Sequence, residues 1–455
     1  MNVSVGRDFD NPAPLVLGCV YLVLIQLVAM ASRGYGAYRA VVTLLLLVGA
    51  LIMMTVPSIL PAVTVFKSSK RVPLVAALFF LGIAIASVGT IHRFLVVQGI
   101  ALSILTFVFY SEANGLLPVQ RFKLPTLVVV AACVTVPLVS FLSGLLVPKL
   151  YDIATTTAKA GQVMLTGGNP YTELVDEGGK KWMADARFGG YKYSPLMAVF
   201  YIPFVSVFGA PGVLVGNLHF LLGAAVILYF LARRINASGP GLAVVLMLAA
   251  PFFAEQMLSM GATDIAAVLS ILIAFLIWGR NATLVGLFIG LSLSTKLAPG
   301  LFAAAVFTPP RPRDWPRYAL GIVIGLLPSM IYLTWSPEDF IRNVFVFQVI
   351  RPVESTSWQY FVPGWAAVIG RVILFTMAML TVLFCTFTKA DLYRRLSGFL
   401  VVTFCALLTG PMYLDNYGIW WIPVAACLVI SVGRRPDEVA ESRAKPSVEN
   451  VPLKV

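Results

Sequence analysis

Three charged residues, Asp152, Lys296 and Arg351, lie inside or directly after apolar stretches of the chain. A carboxylate at the depth of lipid headgroups can act as a general base toward a hydroxyl group when its environment tunes its affinity for protons. An ammonium or guanidinium at the same depth can meet an anionic group, and the guanidinium can hold a phosphate through two hydrogen bonds. These residue types therefore predict general-base chemistry close to an anion.

Each of these residues also has a purely structural explanation. Asp152 can cap a surface helix, and Asp264 in "SMGATDIAA" can cap a later one, because Asp is a favoured N-cap residue. Lys296, inside "GLFIGLSLSTKLAPGLF", can snorkel to an interface, and Arg351 can anchor to lipid headgroups. Both explanations stay open at the level of sequence.

The polar residues that a site needs are concentrated in a few loops between apolar runs. The longest is "TGGNPYTELVDEGGKKWMADARFGGYKYSPL", residues 166–196. Residues 151–165 before it are predicted to form a helix on the membrane surface that the glycine pair ends. The loop 335–364 is rich in aromatic residues and is predicted to be interfacial. The turn "GPMYLDNYGIWWIP" adds Tyr413 and Asp415 beside a tryptophan pair.

The composition indicates the elements that must position these loops. The 455 residues are 59% hydrophobic and only 12% charged, with a mean hydropathy of +0.90. This composition excludes a soluble globular surface. Runs of the length that a bilayer demands of a helix recur along the chain, so we expect an all-α polytopic membrane protein with about 12 to 15 transmembrane helices. The runs are 14–31, 41–65, 72–88, 94–110, 126–147, 213–231, 241–254, 265–278, a split segment 285–307, 318–333, 365–387, 396–408 and 419–432.

The basic residues predict the orientation. The formal charge of +13 is not pooled in one segment, as nucleic-acid binding would require, but is spread over short segments between helices that can all share one side. By the positive-inside rule that side is the cytoplasm, so the loops 148–193 and 335–364 are expected outside. The short segment 194–208 leaves the number of crossings open, since it can be a re-entrant or interfacial helix or part of three short crossings.

The order of motifs resembles the GT-C class of membrane glycosyltransferases, and in particular bacterial polyprenyl-phosphate-mannose-dependent mannosyltransferases. The pattern "D…A…G.NPY…Y.PL" begins at Asp152, and "GLFIGLSLSTKLAPGLF", an arginine-bearing loop and "YLDNYGIWWIP" follow in the same order. The resemblance covers residues 145–432. About five apolar runs precede Asp152 where the family usually has one, a second acidic residue beside it is missing, and only His92 and His219 are histidines.

The resemblance implies transfer of a sugar, mannose or another hexose or pentose, from a polyprenyl-phosphate donor to an acceptor hydroxyl on the external side, with inversion. It implies that Asp152 is the catalytic base and that Lys296 and Arg351 bind the donor phosphate. The residues expected to contact substrate are Tyr151, Asn169, Tyr171, Tyr193, Asp264, Tyr413 and Asp415. The acceptor is expected to be a glycan, a glycolipid or a protein.

The chain is accordingly divided into N-terminal transmembrane helices (1–125), a GT-C-like core (126–432) and a cytoplasmic polar tail (433–455). We expect it in the bacterial inner membrane, in contact with membrane lipids and without a nucleic-acid partner. No carboxylate cluster suits a divalent metal and the five cysteines lie in apolar runs, so no metal or other cofactor is expected. The alternative is a transporter or flippase for a lipid-linked substrate, which would also show many helices and buried charges.

Overall fold

A computed structural model gives the fold of the chain. It describes residues 100, 103–104, 106–107, 135, 137–146, 150–176, 186–235, 240–250, 252–350, 352–353, 357–388, 390–410 and 417–431. Every regular element within these ranges is a helix, which confirms the all-α prediction. The predicted runs before residue 94, parts of the next two, and the polar tail 433–455 lie outside the described residues, as do Arg351, Tyr413 and Asp415.

The helices follow the apolar runs closely. An apolar run offers its backbone few polar partners, and a helix pairs the N–H and C=O groups of the run with each other. They are α1 Pro137–Leu146, α2 Asp152–Leu165, α3 Pro195–Phe208, α4 Gly212–Arg234, α5 Pro240–Leu248, α6 Ile265–Ile277, α7 Ala282–Thr295, α8 Leu297–Val306, α9 Trp315–Trp335, α10 Pro337–Ile341, α11 Phe347–Ile350, α12 Gly364–Phe387, α13 Leu392–Thr409 and α14 Gly418–Ser431.

Four of the described helices are long and apolar enough to cross a membrane by length and composition. They are Gly212–Arg234, Pro312–Trp335, which includes a short 3-10 turn before α9, Gly364–Phe387 and Leu392–Thr409. The others are shorter, and α3 with its 14 residues spans about 21 Å at the usual rise per residue. Residues 194–234 form two helices joined by a turn at Gly209, where φ is +63°, so the alternative of three short crossings in this region is wrong.

Helices α7 and α9 pack with their backbones almost in contact. A Cβ atom on Gly286 would lie 2.1 Å from the carbonyl oxygen of Tyr318, and one on Gly321 would lie 2.1 Å from the carbonyl oxygen of Thr283. Each helix carries a second glycine four residues on, so the pair matches the small-residue spacing that lets membrane helices approach closely. Ser294 at the end of α7 donates to the carbonyl of Gly325 at 2.8 Å, which fixes the position of the helix end that precedes Lys296.

Candidate functional site

Helix α2 begins beside the segment that precedes α6. The backbone N–H of Tyr151 donates to the carbonyl of Met260 at 2.8 Å, and its hydroxyl donates to the side chain of Gln256. The predicted helix is thus present, one residue shorter at its start; its place on the membrane surface stays a prediction. It ends at Leu165 with Thr166 as the C-cap, and Gly167 follows with φ of +77°, a left-handed conformation that favours glycine. The backbone N–H of Gly168 donates back to the carbonyl of Val163.

Asp152 is the first residue of α2 and its side chain is exposed. One carboxylate oxygen accepts a hydrogen bond from the backbone N–H of Ile153 at 2.7 Å. The negative charge is favourable beside the positive end of the helix dipole. The N-cap position is occupied by Tyr151, so Asp152 is not the N-cap residue. The carboxylate is anchored at one oxygen and is presented at the surface.

The "GGNPY" turn binds the loop to the segment around α10. Asn169 accepts the backbone N–H of Tyr171 at 3.0 Å, and its amide donates to the hydroxyl of Ser336 at 2.7 Å; the first of these bonds forms an Asx turn. Tyr171 is buried against Tyr332 and Phe340, and its hydroxyl donates to the carbonyl of Tyr193 at 2.8 Å. Burial raises the pKa of Tyr171 well above its ordinary value. Both predicted substrate residues therefore use these polar groups to hold the loop.

Lys192 is a buried cation that the sequence did not single out. Its ammonium donates to the carbonyls of Phe188 and Gly190 and to the side chain of Asn343, and lies 3.9 Å from the carboxylate of Asp176. Burial lowers the pKa of Lys192 to about 8, although the nearby Asp176 raises it. The contact with Asn343 ties the first loop to the segment that follows α10, 151 residues later in the chain.

Lys296 lies at the break between α7 and α8, with an extended backbone at φ −147°. Pro299 is three residues further on, and its ring cannot continue an α-helix over the carbonyl of Thr295, which accounts for the break. The predicted split of this segment is thus present.

The Lys296 ammonium forms an ion pair with the carboxylate of Asp264. Asp264 is 0% exposed and Lys296 is 9% exposed, so the charges are taken out of water together. The indole N–H of Trp420 donates to the same carboxylate oxygen. Buried ions are retained only with such a partner and additional hydrogen bonds. The side chain of Asp264 makes no capping bond at the start of α6, so the capping explanation of this residue is wrong.

Three aromatic rings surround the ammonium. Its nitrogen lies 5.3 Å from the ring centres of Tyr193 and Trp420 and 5.7 Å from that of Tyr417. These distances are within the range of cation–π attraction. A lysine snorkelling to water would have an exposed ammonium, so the snorkelling explanation does not fit. The arrangement is a buried ion pair enclosed by aromatic side chains.

Helix α2, which begins with Asp152, is linked to Lys296 by a series of contacts that starts at Thr157. Thr157 of α2 makes a hydrogen bond of 3.2 Å with the hydroxyl of Tyr191, the ring centre of Tyr191 lies 5.5 Å from that of Tyr193, and Tyr193 faces Lys296. Helix α2 is therefore fixed relative to the ion pair by two tyrosines. The structure thus brings together Lys296, Asp264 and Tyr193, while Asp152 belongs to the helix that supports them.

Arg342, the first arginine in the segment after α9, forms ion pairs within that segment. Arg342 pairs with Glu338 and with Asp339, the latter at 2.8 Å, one turn earlier in the same segment. Phe340 and Val344 are buried, whereas Phe345 is exposed, as expected of a segment with one apolar face packed on the protein. Among the residues that the structure describes, no group of three His, Cys, Asp or Glu side chains could hold a metal ion.

No protein-family model matches the chain, and no curated protein is significantly similar to it. Two solved structures are similar to it, both of ArnT from Cupriavidus metallidurans. The structure bound to undecaprenyl phosphate has 16% sequence identity and a TM-score of 0.45, and the match covers 70% of this chain and 61% of that one. The apo structure has 15% identity and a TM-score of 0.44 over 69% of this chain and 61% of that one. The chain thus spans less than two thirds of the structures it matches.

Proposed function

We propose that the protein transfers a sugar from a polyprenyl-phosphate donor to an acceptor hydroxyl, with inversion at the anomeric carbon. The observation that carries this proposal is the ammonium of Lys296, set at a helix break among apolar helices, with aromatic rings around it and helix α2 beside it. A donor of this kind needs apolar helices for its tail, a cation for its phosphate and aromatic surfaces for its sugar. The order of sequence motifs that resembles the GT-C class supports the same assignment.

In the proposed reaction, the oxygen of the acceptor hydroxyl attacks the anomeric carbon as the bond from that carbon to the phosphate oxygen breaks. Asp152 takes the proton of the attacking hydroxyl, and the electron pair of the broken bond stays on the lipid phosphate. Lys296 is proposed to neutralise that charge, and Arg351 is proposed as a second cation for the same phosphate. A single displacement inverts the configuration of the sugar.

We propose mannose or another hexose or pentose as the sugar, and a glycan, a glycolipid or a protein as the acceptor. The distribution of basic residues supports an external active site in the bacterial inner membrane. The side-chain amide of Asn169 and the hydroxyl of Tyr171 are hydrogen-bonded within the protein. These two residues are therefore proposed to affect the substrate by holding the loop in place. Tyr151, Tyr193 and Asp264 are proposed to line the site, and Tyr413 and Asp415 are proposed contacts outside the described residues.

A transporter or flippase for a lipid-linked substrate is the second candidate. The buried ion pair of Asp264 and Lys296 is compatible with a carrier. A lysine that can release its carboxylate and bind a lipid phosphate instead would suit transport as well as catalysis. A carrier moves the donor unchanged, whereas a transferase consumes it. Only the transferase needs the exposed carboxylate of Asp152.

The test compares Asp152→Asn with the wild-type protein, purified at full length and reconstituted with a polyprenyl-phosphate sugar and candidate acceptors. Loss of a general base typically lowers the rate about 100- to 10,000-fold, while the uncharged amide leaves the fold and donor binding intact. Glu173→Gln is the matched control, since it removes an exposed carboxylate from the same loop. Near-normal transfer by Asp152→Asn would refute its role as the base, and movement of intact donor across vesicles without transfer would establish the carrier.

A further inference from the structure

A cavity lies at the end of helix α7 that is opposite to Lys296. Its volume is about 750 Å³, and its lining includes Trp278, Arg280, Arg311, Arg313, Asp314 and Arg317. Helix α7 has 14 residues and separates the cavity from the ion pair by about 21 Å at the usual rise per residue. The proposed transfer reaction makes no use of this cavity.

The arginines of this cavity have no ionic partners in the described part of the chain, where neither Arg280, Arg311, Arg313 nor Arg317 forms an ion pair. Asp314 is the one carboxylate in the described lining. Four guanidinium groups around one carboxylate leave an excess of three positive charges. Arginine is suited to bidentate hydrogen bonding with phosphate, so the cavity has the chemistry of a phosphate site.

Two helix N-termini open into the same cavity. Helix α7 begins at Ala282, after the N-cap Asn281, whose side chain accepts the backbone N–H of Leu284 at 3.0 Å. Helix α9 begins at Trp315, directly after the 3-10 turn that contains Arg313. The N-terminus of a helix carries a partial positive charge and unpaired N–H groups, which favour an anion. The close packing of α7 and α9 places both ends side by side.

The positive-inside rule explains basic residues at this level of the membrane, but it does not explain a cavity between two helix N-termini. The neighbouring surface indicates what fills it. Trp315 is 42% exposed beside the cavity, and Leu320, Val323 and Leu327 are exposed along the next turns of α9. An exposed tryptophan below an apolar helix face is typical of a membrane interface, where a lipid can place its headgroup in the cavity and its chains along the helix.

We propose that this cavity binds the phosphate-bearing headgroup of an anionic phospholipid, with Arg313 and Arg317 donating to the phosphate and the acyl chains lying against α9. The site is separate from the proposed donor site. It holds a resident lipid at the boundary between α7 and α9, so occupancy stabilises the helix pair whose other end positions Lys296.

The test measures binding of phosphatidylglycerol to the full-length protein in neutral detergent by native mass spectrometry, with phosphatidylcholine as the reference lipid. The double variant Arg313→Gln/Arg317→Gln should bind phosphatidylglycerol at least about tenfold more weakly, since each charge-assisted hydrogen bond contributes about one such factor or more. Arg233→Gln/Arg394→Gln is the matched control, because it removes two exposed arginines expected on the same side but outside the cavity.

Equal losses of phosphatidylglycerol affinity in the two double variants would overturn the proposal, because they would show that binding depends only on the total positive charge of the surface. Displacement of the lipid by inorganic pyrophosphate at similar concentration would assign the cavity to a soluble anion and would overturn the lipid assignment. The variant Arg313→Lys/Arg317→Lys keeps the charge without the bidentate geometry and should bind with intermediate affinity. Thermal unfolding of each variant in phosphatidylcholine alone shows whether the variant is folded, independently of its binding of phosphatidylglycerol. If the glutamine double variant does not fold, the lysine double variant provides the comparison.

Discussion

The two ends of helix α7 hold cations in opposite ways. At one end, Lys296 is buried, paired with Asp264 and enclosed by aromatic rings. At the other end, the exposed Arg313 and Arg317 line a cavity without an ionic partner in the described residues. A buried charge must be neutralised by the protein, whereas an exposed one can stay open to a ligand. The first arrangement is therefore assembled before any substrate arrives, and the second depends on its ligand.

A third cation, Arg395, shows that the surroundings of a cation also depend on which end of a helix lies beside it. Arg395 of α13 is 1% exposed. Its guanidinium donates to the carbonyl of Val306, the last residue of α8, to the hydroxyl of Thr308 and to the carbonyl of Ala390 just before α13. Its guanidinium also lies 4.7 Å from the ring centre of Trp278. Carbonyls at a helix C-terminus satisfy a cation, whereas the N-termini of α7 and α9 offer only donors. This difference explains why Arg395 is buried against Trp278, whereas the arginines that line the cavity stay exposed.

The largest expected effect comes from breaking the ion pair. Lys296→Met removes the lysine partner from the buried carboxylate of Asp264, and breaking a buried ion pair in this way typically costs about 3 to 5 kcal/mol of stability. It also removes the cation that is proposed to neutralise the charge developing on the donor phosphate, so turnover should fall about 100- to 1000-fold. Thermal unfolding and single-turnover transfer measure the two losses.

The double variant Asp264→Asn/Lys296→Met separates these losses. It removes both charges, and the asparagine keeps an acceptor for Trp420, so much of the stability should return while turnover stays low. Restoration of turnover together with stability would show that Lys296 has a structural role only. Donor binding should weaken less than turnover in both variants, because the charge on the phosphate grows as the bond breaks.

A smaller effect is expected at the opposite end. Arg395→Met leaves the carbonyls of Val306 and Ala390 without their donor, which should lower the free energy of unfolding by about 1 to 3 kcal/mol. The neighbouring Arg394 is exposed, and Arg394→Met should change stability by less than about 0.5 kcal/mol. Chemical unfolding of the two variants in one detergent gives the comparison, and equal stabilities would show that solvent replaces the guanidinium at the helix end.

The sequence predicted the helices well because apolar length and proline breaks are local signals. The run 365–387 is the helix Gly364–Phe387, and the predicted split around Lys296 is present with Pro299 as its cause. The partners of the buried charges were not predictable in this way. Asp264 was given a capping role as an alternative, but it pairs with Lys296, 32 residues away, and with Trp420, 156 residues away. The cost of a buried charge predicts that a partner exists, and only the packing selects it.

One overlooked signal was present in the sequence. "GLFIG" at 286–290 and "GIVIG" at 321–325 carry glycines at the spacing that brings membrane helices together. These two segments are the closely packed faces of α7 and α9. Recognising them would have paired the helices and placed both of their N-termini at one cavity. Lys192, in contrast, has no local signal, because its burial depends on Asn343 from a distant segment.

The remaining test concerns the loop that contacts Lys296 and uses the pH dependence of stability that Lys192 produces. Burial lowers its pKa from 10.5 to about 8, so the folded protein releases this proton at a lower pH than the unfolded chain does. Between these two values the unfolded chain binds more protons, and the free energy of unfolding therefore rises with pH. Below about pH 8 both states are protonated and the full cost of burying the charge is present.

Lys192→Met should remove this rise, while Lys159→Met, at an exposed position of α2, should keep it. The measurement is the thermal midpoint of the three proteins at about pH 7 and about pH 9.5 in one detergent. A wild-type midpoint that changes with pH in the same way as that of Lys192→Met would contradict the expected rise. It would show that the carbonyls of Phe188 and Gly190, together with Asp176, keep the Lys192 ammonium protonated at both pH values. The loop would then be held by a charged lysine over this whole pH range.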